Sequence, residues 1–84
     1  MDFYDMRVDQ AGAIAQDYKI SVSDVLSLLM LAREDEGLVR QALEQTVRSE
    51  EAKDARRQGR MFDVVAYAHV LLQQRMNDQG GQQR

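Results

Sequence analysis

Few residues in this chain could carry out chemistry. Among 84 residues there is one histidine and no cysteine, so no thiolate nucleophile, disulfide or cysteine-ligated metal site can form. His69 lies between Ala68 and Val70 in an apolar segment, and no second histidine stands at a metal-ligand spacing. We interpret His69 as a packing or interface residue, and we expect a protein that is not an enzyme and holds no metal or cofactor.

Three arginines form a compact group of positive charge. The spacing of Arg56, Arg57 and Arg60 would place their side chains together on one side of a helix. Guanidinium groups hold phosphates and carboxylates well, so these residues are candidate contacts to an anionic partner. The competing interpretation is a solvated helix face, because three acidic residues precede the arginines within two turns.

The densest acidic group in the chain consists of Glu34, Asp35 and Glu36. It lacks the pattern of a calcium-binding loop. We interpret them as the end of one helix or the start of the next. Gly37 follows them, and a glycine in the left-handed conformation commonly ends a helix. The Gly80–Gly81 pair lies in a polar tail, so it does not form a phosphate-binding loop.

The composition predicts one small domain with a thin core, and helical domains of this size often gain stability by oligomerising. The first residues are acidic, unlike a signal peptide, and the apolar run from Leu28 to Ala32 is too short to span a bilayer. A net charge of −3 disfavours nonspecific attraction to nucleic acid and anionic lipid. We therefore expect a cytoplasmic protein that does not contact membranes.

Apolar residues recur at helical spacing, which predicts an all-α fold, a small bundle of about four helices. The expected helices run from Phe3 or Arg7 to Tyr18, from about Val22 to Asp35, from about Leu38 to Val47, and from about Arg60 to Asn77. Residues 48–60 are poor in apolar side chains and are expected to be an exposed helical extension or a mobile connector. We expect a single domain over residues 1–77 and a disordered tail over residues 78–84.

The segment from Asp9 to Ala32 has the pattern of two helices joined by a tight turn. A small residue, Ala15, faces the second helix, and apolar residues that would lock the helices together stand at Ile14, Tyr18, Ile20, Val25 and Leu28. Ser21 and Asp24 have the spacing of a capping box. This segment resembles the helix-turn-helix motif class, although Lys19 occupies a turn position that often carries glycine.

The resemblance implies a DNA-binding transcriptional regulator with Ser21, Ser23 and Ser27 at the base edges. The charge of this half opposes that function. Residues 1–36 contain three basic and eight acidic side chains, a balance of −5. DNA binding draws much of its affinity from cations that displace counterions. We therefore keep DNA binding as the alternative function.

The second and fourth predicted helices carry more apolar side chains than one helix face can bury. Surplus apolar surface is typical of an interface. The candidate partner or dimer contacts are Leu26, Met30, Leu31, Met61, Tyr67 and Leu71. The competing interpretation is a compact bundle that buries both sides of these helices. The leading prediction is a small regulatory or adaptor protein that binds other proteins and forms a homodimer.

Overall fold

The computed structural model describes the backbone of residues 3–82 and the side chains of residues 8–78. Within this range the chain forms helices only, joined by short turns. Five helices follow one another: α1 Phe3–Tyr18, α2 Val22–Leu31, α3 Glu36–Val47, α4 Glu50–Arg57 and α5 Val64–Gln82. α1 packs on α2 and α3 packs on α5, while contact between α2 and α5 joins the two pairs. The all-α class is as predicted, with one more helix than expected.

A tight turn joins α1 to α2 where the sequence predicts one. Lys19 has a φ of 57°, which lies in the left-handed region, and the Ile20 amide donates to the Ala15 carbonyl over 3.0 Å. Ser21 caps α2 as predicted, because its hydroxyl accepts from the Asp24 amide at 3.1 Å. The first helix also ends at Tyr18, as its apolar stripe indicates.

The second helix is shorter than predicted, because α2 ends at Leu31 rather than Asp35. Arg33 and Glu34 turn the backbone into the left-handed region, with φ values of 55° and 67°. The role assigned to Gly37 is therefore wrong, since this glycine lies inside α3. Asp35 instead begins α3, and its carboxylate accepts from the Leu38 amide at 3.1 Å.

Residues 48–60 form neither a simple extension nor a connector, because they contain the separate helix α4. Ser49 caps this helix, and its two alanines, Ala52 and Ala55, are both buried. Gly59 ends it with a φ of 68°. α4 contacts α3, the helix that precedes it in the chain.

α5 begins at Val64, later than the predicted start at Arg60. The carboxylate of Asp63 accepts from the Ala66 amide at 3.0 Å, so a side-chain cap defines this helix start. The helix reaches Gln82, beyond the predicted end at Asn77, and therefore includes residues 78–82 of the predicted tail. Residues 83 and 84 lie outside the described residues.

The core lies where the four longer helices meet. Its largest fully buried apolar side chains are Ile14, Val25, Leu28, Leu29, Val39, Leu43 and Leu72. The predicted helix-locking residues take part, with Tyr18 and Ile20 packed at the edge of this cluster. Thr46 is also fully buried, and its hydroxyl donates to the Ala42 carbonyl at 2.7 Å, which satisfies it.

The molecule is flat. Its Cα atoms span 44 × 38 × 15 Å, and the radius of gyration of 13.8 Å exceeds the value of about 12 Å expected for a compact chain of this length. The accessible surface is 6034 Å². A compact monomer of this mass exposes about 5,100 Å². The flat shape therefore exposes more surface than a compact chain of the same mass would.

Candidate functional site

Four large apolar side chains are substantially exposed among the described residues. Met61 is 100% exposed, Met30 68%, Val70 50% and Val22 37%. Met61 and Met30 belong to the predicted interface set. Val70 and Val22 do not, because no sequence pattern separates them from the buried residues of their helices.

The other predicted interface residues are partly buried. Leu26, Leu31 and Leu71 pack against the buried cluster and expose only part of their surface. Tyr67 is half-buried: its ring lies 5.6 Å from the ring of Phe62, and its hydroxyl donates to the Glu51 carboxylate at 3.4 Å. These four residues therefore offer less free surface than Met30 and Met61.

An open groove lies between the α1–α2 turn and the segment that leads into α5. We call it the apolar groove. Its volume is about 470 Å³, and its lining consists of Tyr18, Lys19, Ile20, Asp24, Met61, Phe62, Asp63, Val64 and Val65. Six of these nine residues are apolar or aromatic. The groove joins two chain segments separated by some forty residues, and the fully exposed Met61 belongs to its lining.

The apolar groove carries charges of both signs. Lys19, Asp24 and Asp63 line it, and none of the three forms an ion pair with a described side chain. The Asp63 carboxylate uses one oxygen to cap α5. These groups remain available to charged groups of a partner.

A second depression, of about 610 Å³, lies between the end of α1, α3 and α5. Its polar groups bind one another. The Tyr18 hydroxyl donates to the Glu44 carboxylate at 2.7 Å, and Arg40 donates to Asp17 at 2.9 Å. Arg75 donates to the amide oxygen of Gln41 at 2.6 Å. This network ties α3 to α1 and α5, so we assign it a structural role.

Two pKa values reflect this network. Burial, followed by the hydrogen bond to Glu44, raises the pKa of Tyr18. The hydrogen bond to Asp17 is the largest contribution that raises the pKa of Arg40, and a second bond to Glu36 acts in the same direction. Arg40 therefore stays charged and bridges two carboxylates, one on α1 and one on α3.

The three arginines do not share one helix face, contrary to the prediction. α4 ends at Arg57, and the left-handed Gly59 redirects the chain before Arg60. Arg60 turns back to Asp54 at 3.3 Å, and Arg57 lies 3.9 Å from Glu50. Arg56 is exposed and pairs with no described carboxylate.

The serines predicted for base contact are all exposed on α2 or at its start. All three have local partners: Ser21 caps the helix, its hydroxyl also lies 3.4 Å from the hydroxyl of Ser23, and the Ser27 hydroxyl donates to the Ser23 carbonyl at 3.2 Å. His69 is exposed on α5. No group of three or more potential metal ligands occurs within the described part of the chain.

Sequence reasoning missed Ile20, Phe62, Val64 and Val65 as groove residues. A signal existed for three of them, since Met61–Phe62 and Val64–Val65 are apolar pairs beside a helix start. Their juxtaposition with the α1–α2 turn depends on tertiary packing, which no local pattern encodes.

No helix within residues 3–82 is both long enough and apolar enough to cross a bilayer. Comparison of the chain with protein-family models, with curated proteins and with solved structures found no match.

Proposed function

We propose that this chain is a small, non-enzymatic regulatory or adaptor protein of the cytoplasm that acts through protein–protein contact as a homodimer. The observation that carries the proposal is the exposure of Met61 and Met30 on a flat chain with surplus surface. Apolar surface in water is unfavourable, and association removes it. Methionine is suited to such contacts because its unbranched side chain adapts to different partners.

Within this proposal, Met30 and Met61 contribute most of the contact area. Leu26, Leu31 and Leu71 add their uncovered edges, and Tyr67 adds a ring with a polar end. Arg56, Arg57 and Arg60 form the edge of the contact and meet an anionic partner. Their exposed positions support this role, since little of their surface is committed to the fold.

Sedimentation equilibrium tests the dimer, and capture from host lysate tests the adaptor function. The bait is the wild-type chain, the double variant Met30→Asp/Met61→Asp, or the matched control Gln16→Asp/Gln73→Asp, which changes two exposed polar residues. We expect a protein captured from nuclease-treated lysate by wild type and control, and lost with the double variant. Identical capture by all three baits, or no capture without nucleic acid, would contradict the proposal.

DNA binding by a dimeric regulator is the second candidate. One observation favours it: α1 and α2 are joined by a three-residue turn, the length typical of helix-turn-helix motifs, and Lys19 in this turn has the left-handed conformation. In this function Ser21, Ser23 and Ser27 would meet base edges, and the basic residues near α4 would meet phosphates. The acidic balance of residues 1–36 argues against it.

A titration against pooled genomic fragments at moderate salt separates the two functions. The variant Ser23→Ala/Ser27→Ala is the cleaner test, because Ser21 also caps α2 and its loss would destabilise the helix. We expect no sequence-selective retention of DNA. Selective retention that disappears in the double serine variant would establish the regulator and displace the adaptor function.

A further inference from the structure

Methionine supplies all of the sulfur in this chain. The sequence has five methionines and no cysteine, so no thiolate competes with the thioethers for a two-electron oxidant such as a hydroperoxide. A thioether needs no deprotonation before it reacts. Which methionine is oxidised first therefore depends on how freely the oxidant reaches its sulfur.

The three methionines whose side chains the structure describes differ widely in exposure. Met61 is 100% exposed, Met30 is 68% exposed, and Met76 is partly buried on α5. The fold leaves the whole side chain of Met61 open to solvent, whereas it covers most of Met76. The expected order of oxidation is Met61, then Met30, then Met76.

The reaction is an oxygen transfer that exchanges two electrons. The thioether sulfur attacks one oxygen of hydrogen peroxide, and the O–O bond breaks as the S–O bond forms. The sulfur is oxidised to a sulfoxide and the peroxide is reduced. The proton of the transferred hydroxyl passes to the leaving hydroxide, which departs as water. Methionine sulfoxide reductases reverse the modification, with one enzyme for each sulfoxide epimer.

A sulfoxide at Met61 changes the surface of the protein and leaves its core intact. Met61 buries none of its side chain within the chain, so the added oxygen stays hydrated in the free protein. The same oxygen opposes an apolar contact, because a polar group that leaves water without gaining a hydrogen bond costs free energy. Met61 lies beside Ile20, Phe62 and Val65 in the apolar groove, so the surface it offers to a partner is mostly apolar.

We infer that Met61, and more slowly Met30, are sites of reversible oxidation by hydroperoxides, and that their sulfoxides weaken the association of this protein. The order of oxidation rests on exposure and on the absence of cysteine. The effect on association rests on the proposed function, which places both methionines in the contact. The residues that contribute most to the contact are then the ones that an oxidant reaches first.

The first test follows the oxidation of each methionine. The wild-type chain is treated with hydrogen peroxide at high dilution, and trypsin then places the three methionines in separate peptides for mass spectrometry. We expect the rate constants to fall in the order Met61, Met30, Met76. The control is the chain unfolded in urea, in which the three rates should converge because burial no longer separates them. Equal rates in the folded chain, or Met76 reacting first, would overturn the inference.

The second test measures association before and after oxidation, by sedimentation velocity over a dilution series. The matched control is Met30→Leu/Met61→Leu, which keeps apolar side chains of similar volume and removes both reactive sulfurs. We expect peroxide to raise the dimer dissociation constant of the wild type about tenfold or more, and the two reductases to restore it. The dissociation constant of the leucine variant should not change, nor should the melting temperature of either chain at high dilution.

The outcomes separate this inference from the proposed function. A dimer whose dissociation constant is unchanged by oxidation, or changes equally in the leucine variant, overturns the role of the two sulfoxides and leaves the homodimer standing. A wild-type chain that is monomeric throughout the series contradicts the homodimer and, with it, the effect on association. The oxidation sites themselves are decided by the order of the three rate constants, whatever the oligomeric state.

Discussion

At the residue scale, three helices end in the same way with different residues. The chain becomes left-handed at Lys19, Arg33 and Gly59, one or two residues after the ends of α1, α2 and α4. In each case the next amide donates to a carbonyl five residues earlier; the Arg60 amide, for example, donates to the Ala55 carbonyl at 2.8 Å. Only one of these positions has the glycine that suits the conformation, so the sequence signal for a helix end is weak at the other two.

Two glycines give a matched test of this backbone effect, because an added methyl group would meet no atom within 4 Å at either. Gly59→Ala should lower the free energy of unfolding by about 1–2 kcal/mol, since alanine disfavours the left-handed region. Gly12→Ala, inside α1, should raise it by about 0.5–1 kcal/mol. Urea denaturation measures both changes, and the same sign for both would contradict the account.

Tyr18 gives the fold a pH dependence in the alkaline range. Its pKa is raised above the ordinary value of 10.0 by burial and by the Glu44 hydrogen bond. The folded state therefore holds this proton more tightly than the unfolded state. The resulting stabilisation is complete below pH 10 and is lost as the pH rises through the folded pKa.

Tyr18→Phe removes this group, so its free energy of unfolding should fall less steeply than that of wild type as the pH rises above 10. Urea denaturation at about pH 8 and about pH 11 gives the two slopes. Parallel slopes would show that the Tyr18–Glu44 contact does not favour the protonated phenol.

At the element scale, α1 and α3 were largely predictable because each has one apolar stripe and a clear start or end. The stripe of Leu38, Val39, Ala42 and Leu43 alone identifies the core face of α3. The end of α2 was not predictable, since Arg33 has no preference for the left-handed region. α4 escaped prediction because two buried alanines make a weaker signal than the charged residues around them.

The arginines of α4 and its C-terminal turn should matter more for binding than for folding. Their ion pairs, Arg57 with Glu50 and Arg60 with Asp54, join mostly exposed side chains. Changing Arg56, Arg57 and Arg60 to Ala should therefore cost less than about 1 kcal/mol of stability. It should also weaken binding to an anionic partner and flatten the salt dependence of that binding.

Thermal melting and partner affinity on the same triple variant check this prediction. Ala55→Asp is the structural control, because a carboxylate at this buried position of α4 should lower the melting temperature clearly. A comparable loss of melting temperature in the triple variant would show that the arginines stabilise the fold. Unchanged affinity at every salt concentration would show that they are only a solvated face.

At the scale of the whole molecule, the sequence predicted the helical class and the surplus of apolar side chains but not their arrangement. It ranked Met61 with Leu26, Leu31 and Leu71, although the last three are drawn into the core. Which apolar side chains remain outside the core depends on how the helices pack against one another. The apolar groove depends on it too, because its walls come from the α1–α2 turn and from the segment that leads into α5 rather than from one helix.

We propose above all that this flat chain, with its exposed methionines, is a homodimer. Sedimentation equilibrium of the wild-type chain, at several micromolar loading concentrations and rotor speeds, tests it most directly. We predict a fitted mass of twice the 9.6 kDa chain, falling toward one chain only on dilution. A mass of 9.6 kDa with no dependence on concentration would contradict the claim.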